Sequence, residues 1–128
     1  MVAVDTSGSM DLSILRQCLE EVRGLACINP KITLVVADSK VQEVIESHAL
    51  PAYLRAGRLR GGGGTDHRPV FRWVEEQGAP PDLMIAVTDL FSRFPKEAPN
   101  YPVLWVVPQH HAPAPWGRIL ELPTSASL

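Results

Sequence analysis

Three short strings carry the residue types from which a reactive or ligand-holding site can be built: Asp5-Thr6-Ser7-Gly8-Ser9, Gly61-Gly62-Gly63-Gly64-Thr65-Asp66 and Thr88-Asp89. Asp5, Ser7, Ser9, Thr65 and Asp89 supply two carboxylates and three hydroxyls, an oxygen-only donor set. Such a set suits a hard divalent cation in octahedral geometry, Mg²⁺ first, with Mn²⁺ or Ca²⁺ as substitutes. No Cys or His lies inside the strings, which disfavours zinc; His67 is next door and would have to turn back to join them. Without a cation, two converging carboxylates repel and one tends to hold a proton. Gly8 permits a turn that lets Ser7 and Ser9 face one point. Ser9 also sits near the start of a predicted helix, where unpaired N–H groups favour negative charge.

Each of these residues has a plainer reading on its own. Asp5, Ser7 and Ser9 could be a turn and helix cap, and Asp89 an ordinary turn after a strand. Their order and their positions on the chain favour the metal reading. The glycine run is a poor phosphate loop, because Thr65-Asp66 follows where Lys-Ser or Lys-Thr is needed. Arg55, Arg58, Arg60, Arg68 and Arg72 fall within eighteen residues in which Asp66 is the only acid. They are either a solvated face or a positive rim, with Arg58, Arg60 and Arg68 nearest the strings, that favours an acidic partner. His110 and His111, set among prolines, belong to a surface loop, and Asp38-Ser39 to a turn.

The elements that must position these residues are legible as short apolar runs alternating with helical stretches, the pattern of an α/β sheet with crossover helices. The runs are Val2–Val4, Ile32–Ala37, Val41–Glu46, Leu83–Thr88, Val103–Val107 and Ile119–Leu122. They predict a sheet of five parallel strands and one antiparallel strand, 41–46, joined by a tight turn to the run before it. Leu12, Leu15, Leu19, Val22 and Ala26 recur at helical spacing, with Arg16, Glu20, Glu21 and Arg23 on the wet side. A second helix opens near Asp66–Pro69, buries Val70, Phe71 and Val74, and stops at Gly78. A short helix is also expected within Pro51–Arg60. Asp5 and Asp89 each end a strand, which places them where open parallel sheets bind ligands.

The chain has 128 residues, 45% hydrophobic and 20% charged, enough for one domain with a real core. Its formal charge of −2 gives no global attraction to nucleic acid or to an anionic membrane. Cys18 and Cys27 lie out of phase on one predicted helix, as expected of small buried thiols in a reducing compartment. The longest run without Asp, Glu, Lys or Arg, 98–117, carries five prolines and cannot be a membrane helix. No signal-peptide pattern is present, so a cytoplasmic location is expected. Only four residues precede Asp5, and a central strand starting so close to Met1 suggests the C-terminal part of a longer protein.

The Asp-x-Ser-x-Ser string, the distant Thr65 and the later Asp89 resemble the metal-ion-dependent adhesion site of von Willebrand factor A (vWA) domains. The longer strings Gly-Gly-Gly-Gly-Thr-Asp-His-Arg-Pro-Val-Phe, Pro-Asp-Leu and Tyr-Pro-Val-Leu-Trp-Val are similar to bacterial VWA-like domains found C-terminal to metallopeptidase-type regions. The resemblance covers Val2 to Leu122 and implies a three-layer Rossmann-like fold with strand order 3-2-1-4-5-6. It also implies that the Ser and Thr hydroxyls bind the ion directly while the carboxylates act largely through water. An open position then accepts an Asp or Glu of a partner protein, with AAA-type ATPases among the partners the family suggests. One departure is Leu90, where that subfamily usually has Gly; Leu90 is expected to narrow the loop or turn its backbone.

The competing reading is a Mg²⁺-dependent phosphoryl-transfer hydrolase with Asp5 as nucleophile. Such enzymes want a second carboxylate two positions on, where this chain has Ser7, and a well-placed Lys. Only Lys31, Lys40 and Lys96 are present, and there is no His-Glu-x-x-His for a peptidase. The sequence therefore favours a non-enzymatic interaction module.

Overall fold

Val2-Ala3-Val4-Asp5 is short, β-branched and apolar up to its last residue, and it forms a strand buried along its whole length. A computed structural model of the chain describes residues 1–5, 17, 20, 32–46, 49, 52, 53 and 66–121. Within them run β1 (Val2–Asp5), β2 (Thr33–Ala37), β3 (Val41–Glu46), α1 (Arg68–Glu76), β4 (Met84–Val87), β5 (Val103–Val107) and β6 (Arg118–Glu121). The six strands form one sheet in the order β3-β2-β1-β4-β5-β6. Only the β2–β3 pair is antiparallel. Each expected strand is present, with ends shifted by a residue at β1, β2, β4 and β6.

The β2–β3 turn is held by Asp38, whose Oδ1 accepts the Lys40 N–H at 3.2 Å and the Gln42 side-chain N–H at 3.0 Å. This is the turn chemistry expected of Asp38. Strand alternation then sorts the core onto two faces. Val2, Val4, Leu34, Val36, Val87 and Val106 pack on one side. Ala3, Val35, Ala37, Ala86, Trp105 and Val107 face the other, where α1 lays down Val70, Phe71 and Val74. Those three are the residues whose spacing marked the helix. Pro69 sits in the first turn of α1, and the Asp66 carboxylate accepts the Arg68 N–H at 3.0 Å.

Trp105 is fully buried, with Phe71 and Phe94 edge-on to it. Its indole N–H donates to the Trp116 carbonyl at 2.6 Å. Trp116 packs into the same group and donates its own indole N–H to the Pro95 carbonyl at 3.0 Å. Gly117 has φ +81°, and a Cβ there would lie 2.9 Å from both the Trp105 indole nitrogen and the Val103 carbonyl, so this corner needs glycine.

Glu20 is helical and exposed, as expected of the wet side of the first predicted helix; Gln17 is also helical and exposed, and Ala52 and Tyr53 are helical within the short one. The rest of both helices, including Cys18 and Cys27, lies outside the described residues. Among the described residues, no helix is long and apolar enough to cross a membrane.

The strand order reverses in sequence between β1 and β4, which lie side by side and parallel. Strands 1, 2 and 3 run outward to one edge, and 4, 5 and 6 to the other. In open α/β sheets, such a switch point at the carboxyl ends of the strands is where ligands bind.

Candidate functional site

Asp5 closes β1, and Asp89 follows β4 by two residues, so both carboxylates stand at this switch point. They are 1% and 4% exposed, far below the norm for Asp. Ser7, Ser9 and Thr65 lie outside the described residues, as do Arg58 and Arg60. Among the described residues, no three His, Cys, Asp or Glu side chains gather as a metal cluster. A cation at this rim would therefore need the hydroxyls of the other two strings as well as the carboxylates.

The parallel register pairs Val4 with Val87, which carries Thr88 alongside Asp5 one step further on. The Thr88 hydroxyl donates to Asp5 Oδ2 at 2.7 Å and accepts the Leu90 N–H at 3.1 Å. Thr88 is wholly buried, so its one hydroxyl ties the carboxylate of β1 to the loop after β4. Replacing Thr88 with the isosteric Val should leave the shape intact but strip a buried acceptor and a buried donor of their partner. The expected cost is about 1–2 kcal/mol, read as a lower urea midpoint with an unchanged slope.

His67 does turn back. Its Nε2 lies 3.6 Å from Asp5 Oδ2, while Nδ1 lies 2.5 Å from the Ser92 hydroxyl. The His67 backbone N–H also reaches Ser92 Oγ at 3.1 Å and the Arg93 carbonyl at 2.9 Å. Its ring stacks on Phe94 with centroids 5.2 Å apart. Burial pushes the imidazole pKa down, against the opposing pull of Asp5, Asp66 and Asp89. A neutral ring with its proton on Nε2 satisfies both sides: it points N–H toward Asp5 and accepts from Ser92. Both nitrogens are thus directed at protein oxygens rather than set up as a soft ligand pair.

Leu90 has φ +66° and is only 2% exposed. It therefore turns the backbone, as expected, by adopting the left-handed conformation that glycine takes without strain. The turn lets the Phe91 N–H donate to Asp89 Oδ1 at 3.2 Å. The Asp89 carbonyl meanwhile accepts the Ala112 N–H at 2.9 Å.

Arg68 is spoken for. Its Nη2 donates to Asp66 Oδ2 at 2.7 Å and its Nε to Oδ1 at 3.0 Å, a forked pair at the start of α1. This hydrogen bond holds the Asp66 carboxyl below its usual range. Much of the charge that Arg68 brings to the rim is neutralised by its own neighbour.

The sequence singled out Asp5 and Asp89, named Thr88 only as part of its string and His67 only as a neighbour that would have to turn back, and gave Ser92 no role. Thr88 was detectable in principle, since it is the residue that parallel pairing sets beside Asp5. The approach of Ser92 from the loop after β4 left no such trace.

The sequence matches a family model described as VWA-like domain (DUF2201) over residues 1–123, nearly the whole chain. No curated protein and no solved structure gives a match.

Proposed function

The chain belongs to the VWA-like domain family, and from that premise we propose that it is a divalent-metal-binding protein-interaction module rather than an enzyme. The observation that carries this reading is the pair of buried carboxylates, Asp5 and Asp89, at the switch point between adjacent central strands. Two carboxylates so placed call for a compensating charge, and Mg²⁺ is the hard cation suited to oxygen donors. Ser7, Ser9 and Thr65 would complete the set with neutral hydroxyls. A cation held by neutral hydroxyls, with the carboxylates acting through water, keeps Lewis acidity for an incoming ligand. An Asp or Glu of a partner protein would then take the open position, and charge-assisted contact in a partly dehydrated interface can be worth ~2 kcal/mol or more. Arg58 and Arg60 would add a positive rim, with Arg68 a weaker contributor because of Asp66. An AAA-type ATPase with an exposed acidic residue is one partner of this kind, and a bacterial, cytoplasmic setting beside a metallopeptidase-type region fits the reading.

Calorimetric titration with MgCl2, then with acetate as the simplest partner carboxylate, tests this. One bound Mg²⁺ per chain and acetate binding that vanishes with chelator are expected. Silence at millimolar Mg²⁺ overturns the proposal, and turnover of a generic phosphate ester in Mg²⁺ would install the hydrolase in its place.

A further inference from the structure

Phe91 follows the buried Leu90, yet its own side chain is 45% exposed. Four other large apolar side chains are exposed among the described residues, and all stand elsewhere. Leu83 is at the opposite end of β4, Val44 on the edge strand β3, and Ile119 and Leu120 on the edge strand β6. Of these five described side chains, Phe91 alone lies in the loop that carries Asp89.

It is also held in place there. Its N–H donates to Asp89 Oδ1 at 3.2 Å, and its ring lies against the His110 imidazole with centroids 5.4 Å apart at 35°. His110 belongs to the loop after β5, which is tied to the Asp89 carbonyl by the Ala112 N–H at 2.9 Å. The aromatic pair is therefore fastened to Asp89 twice, once through its carboxylate and once through its carbonyl. A fixed aromatic surface loses little side-chain entropy when covered, which is why such rings serve as interface anchors.

We propose that Phe91 and His110 form an apolar platform for the partner segment, next to the position its acidic residue takes. The inference rests on reading the Asp5–Asp89 rim as a carboxylate-accepting metal site, and it names the partner's chemistry. Two residues of extended chain span at most about 7 Å, and Phe91 lies two residues from Asp89. The matching partner motif is thus an Asp or Glu with an aromatic or branched aliphatic residue one or two positions away. The acid supplies the charge and its neighbour covers the ring, so neither an isolated carboxylate nor an apolar segment alone is the preferred ligand.

Two small carboxylates separate these contributions. Acetate offers only the charge, whereas 3-phenylpropanoate adds a ring at the required reach. Titrated by NMR into the whole chain in Mg²⁺, 3-phenylpropanoate should bind roughly 3–10-fold more tightly than acetate, the range expected of one aromatic contact. Phe91→Ala should erase that difference, and Leu83→Ala, at the far pole, should leave it intact. Equal affinities in the native chain, or a preference that survives Phe91→Ala, would overturn the platform while acetate binding upholds the metal site. Absence of Mg²⁺-dependent acetate binding would instead overturn the underlying reading, and the platform with it.

Discussion

Asp5→Asn is expected to lower Mg²⁺ affinity by roughly 10–100-fold, the range typical of losing a group that acts on a metal through its bound ligands. The substitution removes a buried anionic charge at the rim and almost nothing else. The amide oxygen of Asn can still accept the Thr88 hydroxyl, so the link between β1 and the loop after β4 survives. The chain should therefore remain folded by circular dichroism, with a cooperative urea transition. That pairing of intact fold with lost metal is what distinguishes a charge role from a packing role. Calorimetry showing native Mg²⁺ affinity in the folded variant would remove Asp5 from the site.

The second large effect is expected at Leu90, where backbone and side chain pull in opposite directions. Glycine would relieve a left-handed backbone that costs an L-residue about 1–2 kcal/mol. It would also delete a side chain that is 2% exposed and packed into the face shared with α1 and Trp105. Losing a buried Leu costs about 2–5 kcal/mol, and glycine adds further chain entropy to the unfolded state. Packing wins, and Leu90→Gly should be less stable by about 2–3 kcal/mol. Leu90→Ala deletes nearly as much packing but keeps the strained φ, so it should be less stable still, reversing the usual order of Ala and Gly. Denaturation of the two variants side by side measures this, and a Gly variant as stable as the native chain would show that strain outweighs packing. The packing term explains how this chain keeps the turn after Asp89 with leucine in a left-handed conformation.

The strands were legible because their signal is local. Ile32–Ala37 and Val103–Val107 are β-branched or aromatic runs too short and too apolar for surface helices, and Val41–Glu46 follows an obvious turn. Helix α1 was legible from Pro69, from Gly78 and from the spacing of Val70, Phe71 and Val74. Strand order is a different kind of information. It came with the resemblance to vWA domains, since periodicity within a strand does not say which strand lies beside it.

The same division runs through the candidate site. Asp5 and Asp89 announced themselves by residue type at the ends of apolar runs, so the sequence alone determined that acidic side chains emerge from two strands. Thr88 meets Asp5 across 83 positions only because β1 and β4 are neighbours in a particular register. His67 meets Asp5 only because α1 starts over the rim, with Ser92 and Phe94 turning the imidazole inward. Leu90 takes a glycine backbone only because the core rewards its side chain more than the turn penalises its φ. Residue type and spacing encode local preference, whereas these contacts were decided by long-range packing, whose free energy exists only once the sheet has assembled.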